Sequence, residues 1–600
     1  MQEALDSLDK ALQLKPDFAE AYNNRGNTLQ KLGRSNDALD SYDKALQINP
    51  RYTEAHNNQG LALHELGRMQ EALDSFDKAL QLKPDFAEAY NNRGLALREL
   101  GQLEKSLDSF DNALQFDPQC VNTCYNRGNV LRKLGRLQEA LDSFDKALQL
   151  KPDLAEAHNN RGLVLQDMIR LEEAEAAYRR ALEAKPDHEV CFNNLLFLLN
   201  YAPDHSAEDI FAEYRAYDKR FGMPHRDQWR PHTRSRDPQR RLRIGYVSPD
   251  FSIHSTRFFL EPLLAQHNHD RFEIVAYAEV RKDDAMTKRY RGYIDHWVRT
   301  NELSDDELSE RIRADGIDIL VDLAGHTGKN RLGVFARKPA PVSVSWLGYG
   351  YTTGLTAIDY FLTDAATVPP DSEHLFSETP WRIDTPAFAY RPADGMGEVG
   401  PLPALQRGYI TFGTLTRAVR INHRTIRVWS EILKRVNNSR LVINSRNFHN
   451  PTAQEALAGR FALEGIGAER LLIGFNSPPW DLLRSIDITL DCFPHNSGTT
   501  LFESLYMGIP FITLAGRPSV GRLGSSILQG AGHPEWIAHS EEEYADKAVA
   551  LAGDPAALAS IRDGLRDDVR HSSIMDEKAF ARNVEHAYLQ VFELWNNKQP

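Results

Sequence analysis

The sequence predicts an α-helical superhelix followed by a doubly wound α/β region. Three observations predict it. A 34-residue periodicity fills the first third of the 600 residues. Strand-like apolar runs alternate with helical stretches through the remainder. That alternation comes as two series, separated by a proline-rich segment at about 366–407. Length alone points to about four structural units.

The periodic part is regular. Proline recurs at Pro16, Pro50, Pro84, Pro118, Pro152 and Pro186, and glycine at Gly26, Gly60, Gly94, Gly128 and Gly162. Each unit holds two apolar-periodic segments split by a Gly-containing turn and closed by proline, which cannot continue a helix. This is the tetratricopeptide pattern: two antiparallel helices per repeat, stacked into a superhelix. The repeated glycines let the paired helices approach closely. The pattern decays at its end, where Leu196 stands at the next glycine position and Ile169 replaces the turn glycine, as in a capping repeat. At the other end, MQEALDSLDKALQL matches a second helix only, so the chain reads as a fragment or as lacking upstream repeats. Asn24, Asn58, Asn92, Asn126, Asn160 and Asn194 share one phase, two residues before each glycine position. They are either polar residues tolerated on a helix surface or a ladder of amides that grips the backbone of a bound acceptor peptide. The second reading is adopted, since repeat arrays of this kind bind protein partners.

Beyond about 197 the repeat is gone. SAEDIFAEYRAYDKRFG (206–222) reads as one amphipathic helix, and the basic run RSRDPQRRLR (234–243) as a solvated linker. Strands are expected in 241–251, 272–280, 317–325, 343–350 and 358–364, and again in 409–415, 439–445, 470–475, 486–493 and 510–516. The final stretch reads as helices, including KAFARNVEHAYLQVFELW (578–595). Two such domains facing across a cleft suit a nucleotide and a second substrate.

Composition narrows the function. Net charge is −13, which disfavours nucleic acid as a partner. The four cysteines are too sparse for a disulfide framework and form no paired CxxC zinc motif. No apolar run reaches the roughly 18 residues of a membrane span, and no signal peptide opens the sequence. A cytoplasmic protein that binds neither membrane nor nucleic acid is expected.

TLDCFPHNSGTTLFESLYMGIP (489–510) reads as strand, tight turn and helix, with Thr499 and Thr500 at the helix start. A helix N-terminus offers unpaired N–H groups and about half a positive charge, which suits a phosphate. Gly498 allows close backbone approach, and Glu503 lies one turn further in, where a carboxylate accepts from ribose hydroxyls. The plainer alternative is an N-cap threonine and a surface acid. A second loop, GTLTRAVRINH (413–423), adds Arg417 and Arg420, which could neutralise a pyrophosphate leaving group. There is no GxxxxGK[ST] P-loop and no D-x-D triplet of the kind that holds a metal on a sugar diphosphate, so metal-independent stabilisation by helix dipole and cations is expected.

The order GYVSPDFSIH, DLAGHTGKNR, PAPVSVSWLGY, DYFLTD, NSGTTLFESLYMGIPFITLAGR, behind a tetratricopeptide array, resembles the O-linked N-acetylglucosamine transferase family in its bacterial, SPINDLY-like form. The resemblance covers essentially the whole chain. It implies a GT-B fold of two Rossmann-like domains and an inverting transfer of N-acetylglucosamine from UDP-N-acetylglucosamine to Ser or Thr hydroxyls of proteins held by the repeats, with no metal and no cofactor. His254 matches the histidine near the reacting hydroxyl, Thr499 and Thr500 the phosphate-binding pair, and Glu503 the ribose-holding acid. Arg420 falls where the family usually has a lysine on the diphosphate. Arg417, Trp480, Asn496 and Gly498 complete the expected donor site, with Trp480 stacking on the base.

Departures are Gly498 where some members have histidine, Gly350 and Tyr351 where a Pro-Gly pair is common, and IGFNSPPWDLL (473–483) in place of a more polar base-contacting loop. These leave two rivals open: the same fold with GDP-fucose or UDP-glucose as donor, or a repeat scaffold with an inactive transferase half. The expected domain map is 1–200 repeats, 201–240 linker helix and connector, 241–385 first Rossmann-like domain, 386–407 inter-domain segment, and 408–600 second Rossmann-like domain with C-terminal helices.

Overall fold

The computed structural model describes residues 1–598 apart from Thr233, Arg234, Arg236, Pro238, Gln239, Tyr349 and Thr385. The basic run expected as a linker falls partly outside these described residues. The chain divides into two compact units, Met1–Pro186 and Asp187–Pro600.

The first unit is made of helices from Gln2–Leu14 to Leu171–Ala184, paired within each repeat. Gly26, Gly60, Gly94, Gly128 and Gly162 each face a buried ring on the partner helix: Tyr42, Phe76, Phe110, Phe144 and Tyr178. A Cβ at these glycines would come within 2.4–2.8 Å of ring carbon, so the close approach expected from the sequence has a named cause. The helix-to-helix turns need a left-handed residue. Gly33, Gly67, Gly101 and Gly135 supply it with φ of 73° to 75°, and Ile169 adopts φ 62° at the same place. Arginine bridges helices: Arg93 Nε donates to Asp77 at 2.7 Å and its Nη1 to Ser109 at 2.7 Å, with Arg25 and Arg127 repeating the arrangement.

The second unit begins earlier than expected. Helix Glu189–Leu199, placed with the repeats by sequence, belongs here. Phe192 packs edge-on against Tyr217 and Phe221, and Asn200 Nδ2 donates to Tyr214 at 2.8 Å, so the linker helix Ala207–Tyr217 holds it.

Thirteen strands follow among the described residues: β1 (Leu242–Ser248), β2 (Phe272–Ala278), β3 (His296–Arg299), β4 (Ile319–Asp322), β5 (Val342–Ser345), β6 (Tyr360–Thr363), β7 (Thr379–Arg382), β8 (Thr411–Leu415), β9 (Arg440–Asn444), β10 (Leu471–Gly474), β11 (Ile488–Leu490), β12 (Phe511–Leu514) and β13 (Ile537–Ala538). They form two parallel sheets, ordered β3-β2-β1-β4-β5-β6-β7 and β10-β9-β8-β11-β12-β13. Every strand expected from sequence is present; β3, β7 and β13 are additional and lie at or towards sheet edges.

One expectation is corrected. The sequence places the final helix, read at 578–595 and observed as Glu577–Lys598, with the second Rossmann-like domain. Its Phe580, Val584, Tyr588, Val591 and Phe592 instead join the core of the first sheet, with Ile244, Tyr246 and Leu263. The chain crosses between the sheets twice, and the crossings are tied together. Tyr390 N–H donates to Ile574 C=O at 2.7 Å, and the Arg391 guanidinium meets both oxygens of Glu577 at 2.7 and 2.5 Å. This bidentate pair fixes the angle of the crossing as well as its distance.

Candidate functional site: two strand-end crevices

In each sheet the strand order reverses once, between β1 and β4 and between β8 and β11. Loops leaving the carboxyl ends of such neighbouring strands splay apart and leave a crevice. His254, Arg417, Arg420, Asn496 and Gly498 lie on these loops, and Thr499, Thr500 and Glu503 on the helix that follows the β11 loop.

The loop after β1 carries His254. Its ring is half exposed, with Nδ1 3.1 Å from Thr256 Oγ1 and 3.5 Å from Asp250 Oδ2. Burial raises the Asp250 carboxyl, while His254 and Lys329 oppose that rise. If Nδ1–H faces Asp250, the Nε2 lone pair points away from the pair and is available as a base.

The β8 and β11 loops interlock. Asn422 Nδ2 donates to Phe493 C=O at 2.6 Å, and Thr425 Oγ1 to the same oxygen at 2.9 Å. Arg420 is buried; its Nη1 donates to Thr416 Oγ1 at 3.2 Å, and its guanidinium lies 6.0 Å from the centre of the Tyr201 ring. Thr416 Oγ1 also lies 3.2 Å from Ser497 Oγ. Tyr201 stacks on His495 at 4.6 Å and 16°. Burial, with Arg420, Arg517 and Arg417 nearby, holds His495 well below its ordinary pKa, so it is a neutral ring. Its Nδ1 faces Asn496 C=O at 2.9 Å and therefore carries the hydrogen. Asp491 underlies the loop, accepting from Ser497 N–H, Cys492 N–H and Thr513 Oγ1, each at 2.8 Å; burial pushes its carboxyl up to about 7.

The other predicted residues divide by environment. Thr499 and Thr500 open helix Thr499–Tyr506, half-buried, behind Gly498 with no side-chain cap. The helix N-terminus is thus left to backbone N–H groups. Glu503 is buried one turn on, and burial pushes its carboxyl up to about 7 against the opposing pull of Arg257. Arg257 and Phe259 come from the first Rossmann-like domain, and Phe259 meets Phe502 at 5.2 Å, so the helix that follows the His254 loop meets the helix that carries Glu503 at one domain interface. Arg417 is exposed. Asn496 is fully buried, with its Nδ2 donating to Cys492 C=O at 3.0 Å and its Oδ1 accepting from Gly524 N–H at 3.2 Å, which makes it a brace for the loop. Trp480 packs on a cluster that includes Met396, Leu415, Val442 and Leu483, whereas Phe475, at the end of β10, is 40% exposed.

The asparagine ladder lies in the first unit, apart from Asn194 on helix Glu189–Leu199. Its amides tie successive repeats: Asn58 Nδ2 donates to Asn23 at 3.0 Å, Asn92 to Asn57 at 3.0 Å, Asn126 to Asn91 at 3.2 Å, and Asn160 to Tyr125 at 3.0 Å and Asn129 at 2.7 Å. Asn24 is exposed.

Sequence reasoning passed over Thr416, Tyr201, Asp491, His495 and Asn444. Strand order brings Thr416, Asp491, His495 and Asn444 together, and Tyr201 reaches them from the segment after helix Glu189–Leu199; a buried acid at the end of β11 is the one visible signal.

A profile of Glycosyl transferase family 41 matches residues 215–385 and 403–584. The chain belongs to glycosyl transferase family 41. Tetratricopeptide profiles match within residues 1–188. Among family 41 relatives, the chain is 35% identical over 407 residues to the probable UDP-N-acetylglucosamine–peptide N-acetylglucosaminyltransferase SPINDLY of Solanum lycopersicum, covering 66% of this chain and 44% of that protein. It is 29% identical over 374 residues to the SEC protein of Arabidopsis thaliana, covering 60% of this chain and 37% of that one. The chain thus spans less than half the length of these curated relatives. A solved structure of a mutant Thermobaculum terrenum O-GlcNAc transferase superposes with a TM-score of 0.78 at 32% identity, covering 85% of this chain and 98% of that one. No helix among the described residues is long and apolar enough to cross a membrane.

Proposed function

We propose that this family 41 chain is an inverting, metal-independent protein glycosyltransferase that moves N-acetylglucosamine from UDP-N-acetylglucosamine to Ser or Thr hydroxyls of proteins held by its repeats. One observation carries the reading: Arg420 and the Thr499–Thr500 helix start flank the reversal between β8 and β11, where a parallel sheet holds a nucleotide. The relatives' names and the Thermobaculum structure support the choice of donor and acceptor.

The chemistry follows from the groups present. The acceptor hydroxyl oxygen attacks the anomeric carbon as the bond to the β-phosphate oxygen breaks, which inverts that carbon. His254 takes the hydroxyl proton or holds the hydroxyl in line. The diphosphate gains negative charge as it leaves. The N-terminal N–H groups of helix Thr499–Tyr506, the Thr499 and Thr500 hydroxyls and the Arg420 guanidinium stabilise that charge, with Arg417 at the rim. Arg420 already lies buried and bonded to Thr416, so little reorganisation is needed. Glu503 takes the ribose hydroxyls, Gly498 and Asn496 shape the loop, and the exposed Phe475 joins Trp480 as an aromatic for the base.

Asn24, Asn58, Asn92, Asn126, Asn160 and Asn194 remain the proposed grip on acceptor backbone, a role that Asn58, Asn92, Asn126 and Asn160 would share with their inter-repeat bonds. A soluble cytoplasmic setting is proposed from the sequence. The changed base loop keeps GDP-fucose and UDP-glucose as alternative donors. Incubation of candidate acceptor proteins with UDP-N-acetylglucosamine, GDP-fucose and UDP-glucose, read by intact mass, tests the proposal. A mass gain of one N-acetylhexosamine is expected with the first donor and lost in His254→Ala. A gain with another donor only, or with none, overturns it.

A further inference from the structure

The loop 475–480 after β10 is exposed at Phe475, Asn476, Ser477 and Pro478, yet its backbone is pinned from beneath. Asn444, the last residue of β9, is 8% exposed. Its Oδ1 accepts from Asn476 N–H at 2.7 Å, and its Nδ2 donates to Asn476 C=O at 3.2 Å. The partners fix the orientation of the carboxamide, since an N–H can face only Oδ1 and a C=O only Nδ2. Strands β9 and β10 pair as far as Asn444 and Gly474, and Ser445 N–H still reaches Gly474 C=O at 3.0 Å. The Asn444 side chain adds one more rung, where the loop would otherwise splay.

The same residue reaches the other half of the site. Asn444 C=O accepts from Thr416 N–H at 3.1 Å, and Thr416 Oγ1 accepts from Arg420 Nη1 at 3.2 Å. A continuous run of hydrogen bonds therefore joins Asn476, in the base loop, to the guanidinium at the diphosphate end.

We propose that Asn444 is a positioning residue that sets the nucleobase preference of the donor site, by holding the Asn476 peptide in register so that the exposed 475–478 edge reads one base of a nucleoside diphosphate. This rests on the donor-site reading above. Preorganised backbone discriminates because a wrong base leaves fixed polar groups unpaired.

The full chain, with variants Asn444→Ala and Asn444→Asp, is titrated calorimetrically with UDP, GDP and inorganic pyrophosphate, after melting curves establish that each variant is folded. Asn444→Ala is expected to weaken the preferred nucleoside diphosphate about tenfold, the scale of one or two net hydrogen bonds. Its preference over the other base falls by about the same factor, while pyrophosphate binding stays within about twofold. Asn444→Asp keeps the acceptor for Asn476 N–H and is expected to show a smaller loss of preference, so the test survives if the alanine variant unfolds. An unchanged UDP-to-GDP ratio in both variants, or an equal fall in pyrophosphate affinity, overturns the inference while leaving the donor site standing. Wild-type protein that binds neither nucleotide overturns the donor-site reading and this inference together.

Discussion

His267 Nδ1 lies 3.0 Å from Glu585 Oε1, which joins the first Rossmann-like domain to the helix that ends the described chain. The contact is buried and extended: His267 Nε2 lies 2.8 Å from Tyr246 Oη, which lies 3.1 Å from Tyr588 Oη, and Glu585 Oε1 also accepts from Asn268 N–H at 2.7 Å. Burial, the largest influence, holds His267 below its ordinary pKa of 6.5 against the pull of Glu585. The unfolded chain therefore takes up a proton first as pH falls. Stability is full above about 6.5 and declines as pH drops through that value. Thermal melts at pH 8 and pH 5.5 are expected to show a smaller acid-induced drop for His267→Gln than for wild type. Glu585→Ala is expected to cost about 1–3 kcal/mol at pH 8, because it strands the buried His267 ring N–H and leaves the partly buried Asn268 N–H without its acceptor.

The repeats make a paired prediction. Ile169 is β-branched and held at φ 62°, where four equivalent turns use glycine. Left-handed backbone costs an L-residue about 1–2 kcal/mol, so Ile169→Gly should stabilise the repeat unit by about 1 kcal/mol in urea unfolding. Gly94→Ala goes the other way. Its Cβ would sit 2.6 Å from the Phe110 ring, and overpacking of that kind costs about 1–3 kcal/mol. Equal midpoints for these two variants would contradict the packing account.

Glu503 gives the donor site a pH signature. Its carboxyl titrates at about 7 in the absence of nucleotide because it is buried. Ribose hydroxyls donate to the ionised form, so nucleotide binding should expel a proton. Affinity for UDP is expected to rise with pH through about 7 and level off above it. Calorimetry in buffers of different ionisation enthalpy measures the proton released, and Glu503→Gln should release none.

Most of the fold was legible in the sequence because its signals are local. The glycine and proline periods name the repeats, and runs such as FEIVAYA are too apolar to be anything but buried parallel strands. Strand β3, HWVR, was invisible for the converse reason: an edge strand with exposed ends carries no apolar run. The last helix was visible, but its sheet was not. Whether Phe580 and Val584 pack on one sheet or the other depends on where the chain crosses back, which no local pattern encodes. The site divides the same way. Thr499, Thr500 and Arg420 stand in motifs, whereas Asn444 and Thr416 matter only because β9, β8 and β11 are neighbours.

The arginine at 420 can be judged by substitution. Its guanidinium bonds Thr416, lies over Tyr201, and shares its surroundings with the Asp491 carboxyl. A lysine ammonium is a compact charge on a flexible stem and cannot keep the planar contacts with Thr416 and Tyr201 together. Arg420→Ala is expected to lower kcat by about 10²–10³, the usual loss for one donor to a developing oxyanion, with a smaller change in KM. Arg420→Lys should recover part of kcat, because the charge is restored near the diphosphate. Its melting temperature should nevertheless fall, because Thr416 and Tyr201 lose their partner. Steady-state kinetics beside thermal melts of both variants separate these effects. Full kcat in Arg420→Ala would show that the helix N-terminus alone carries the leaving-group charge.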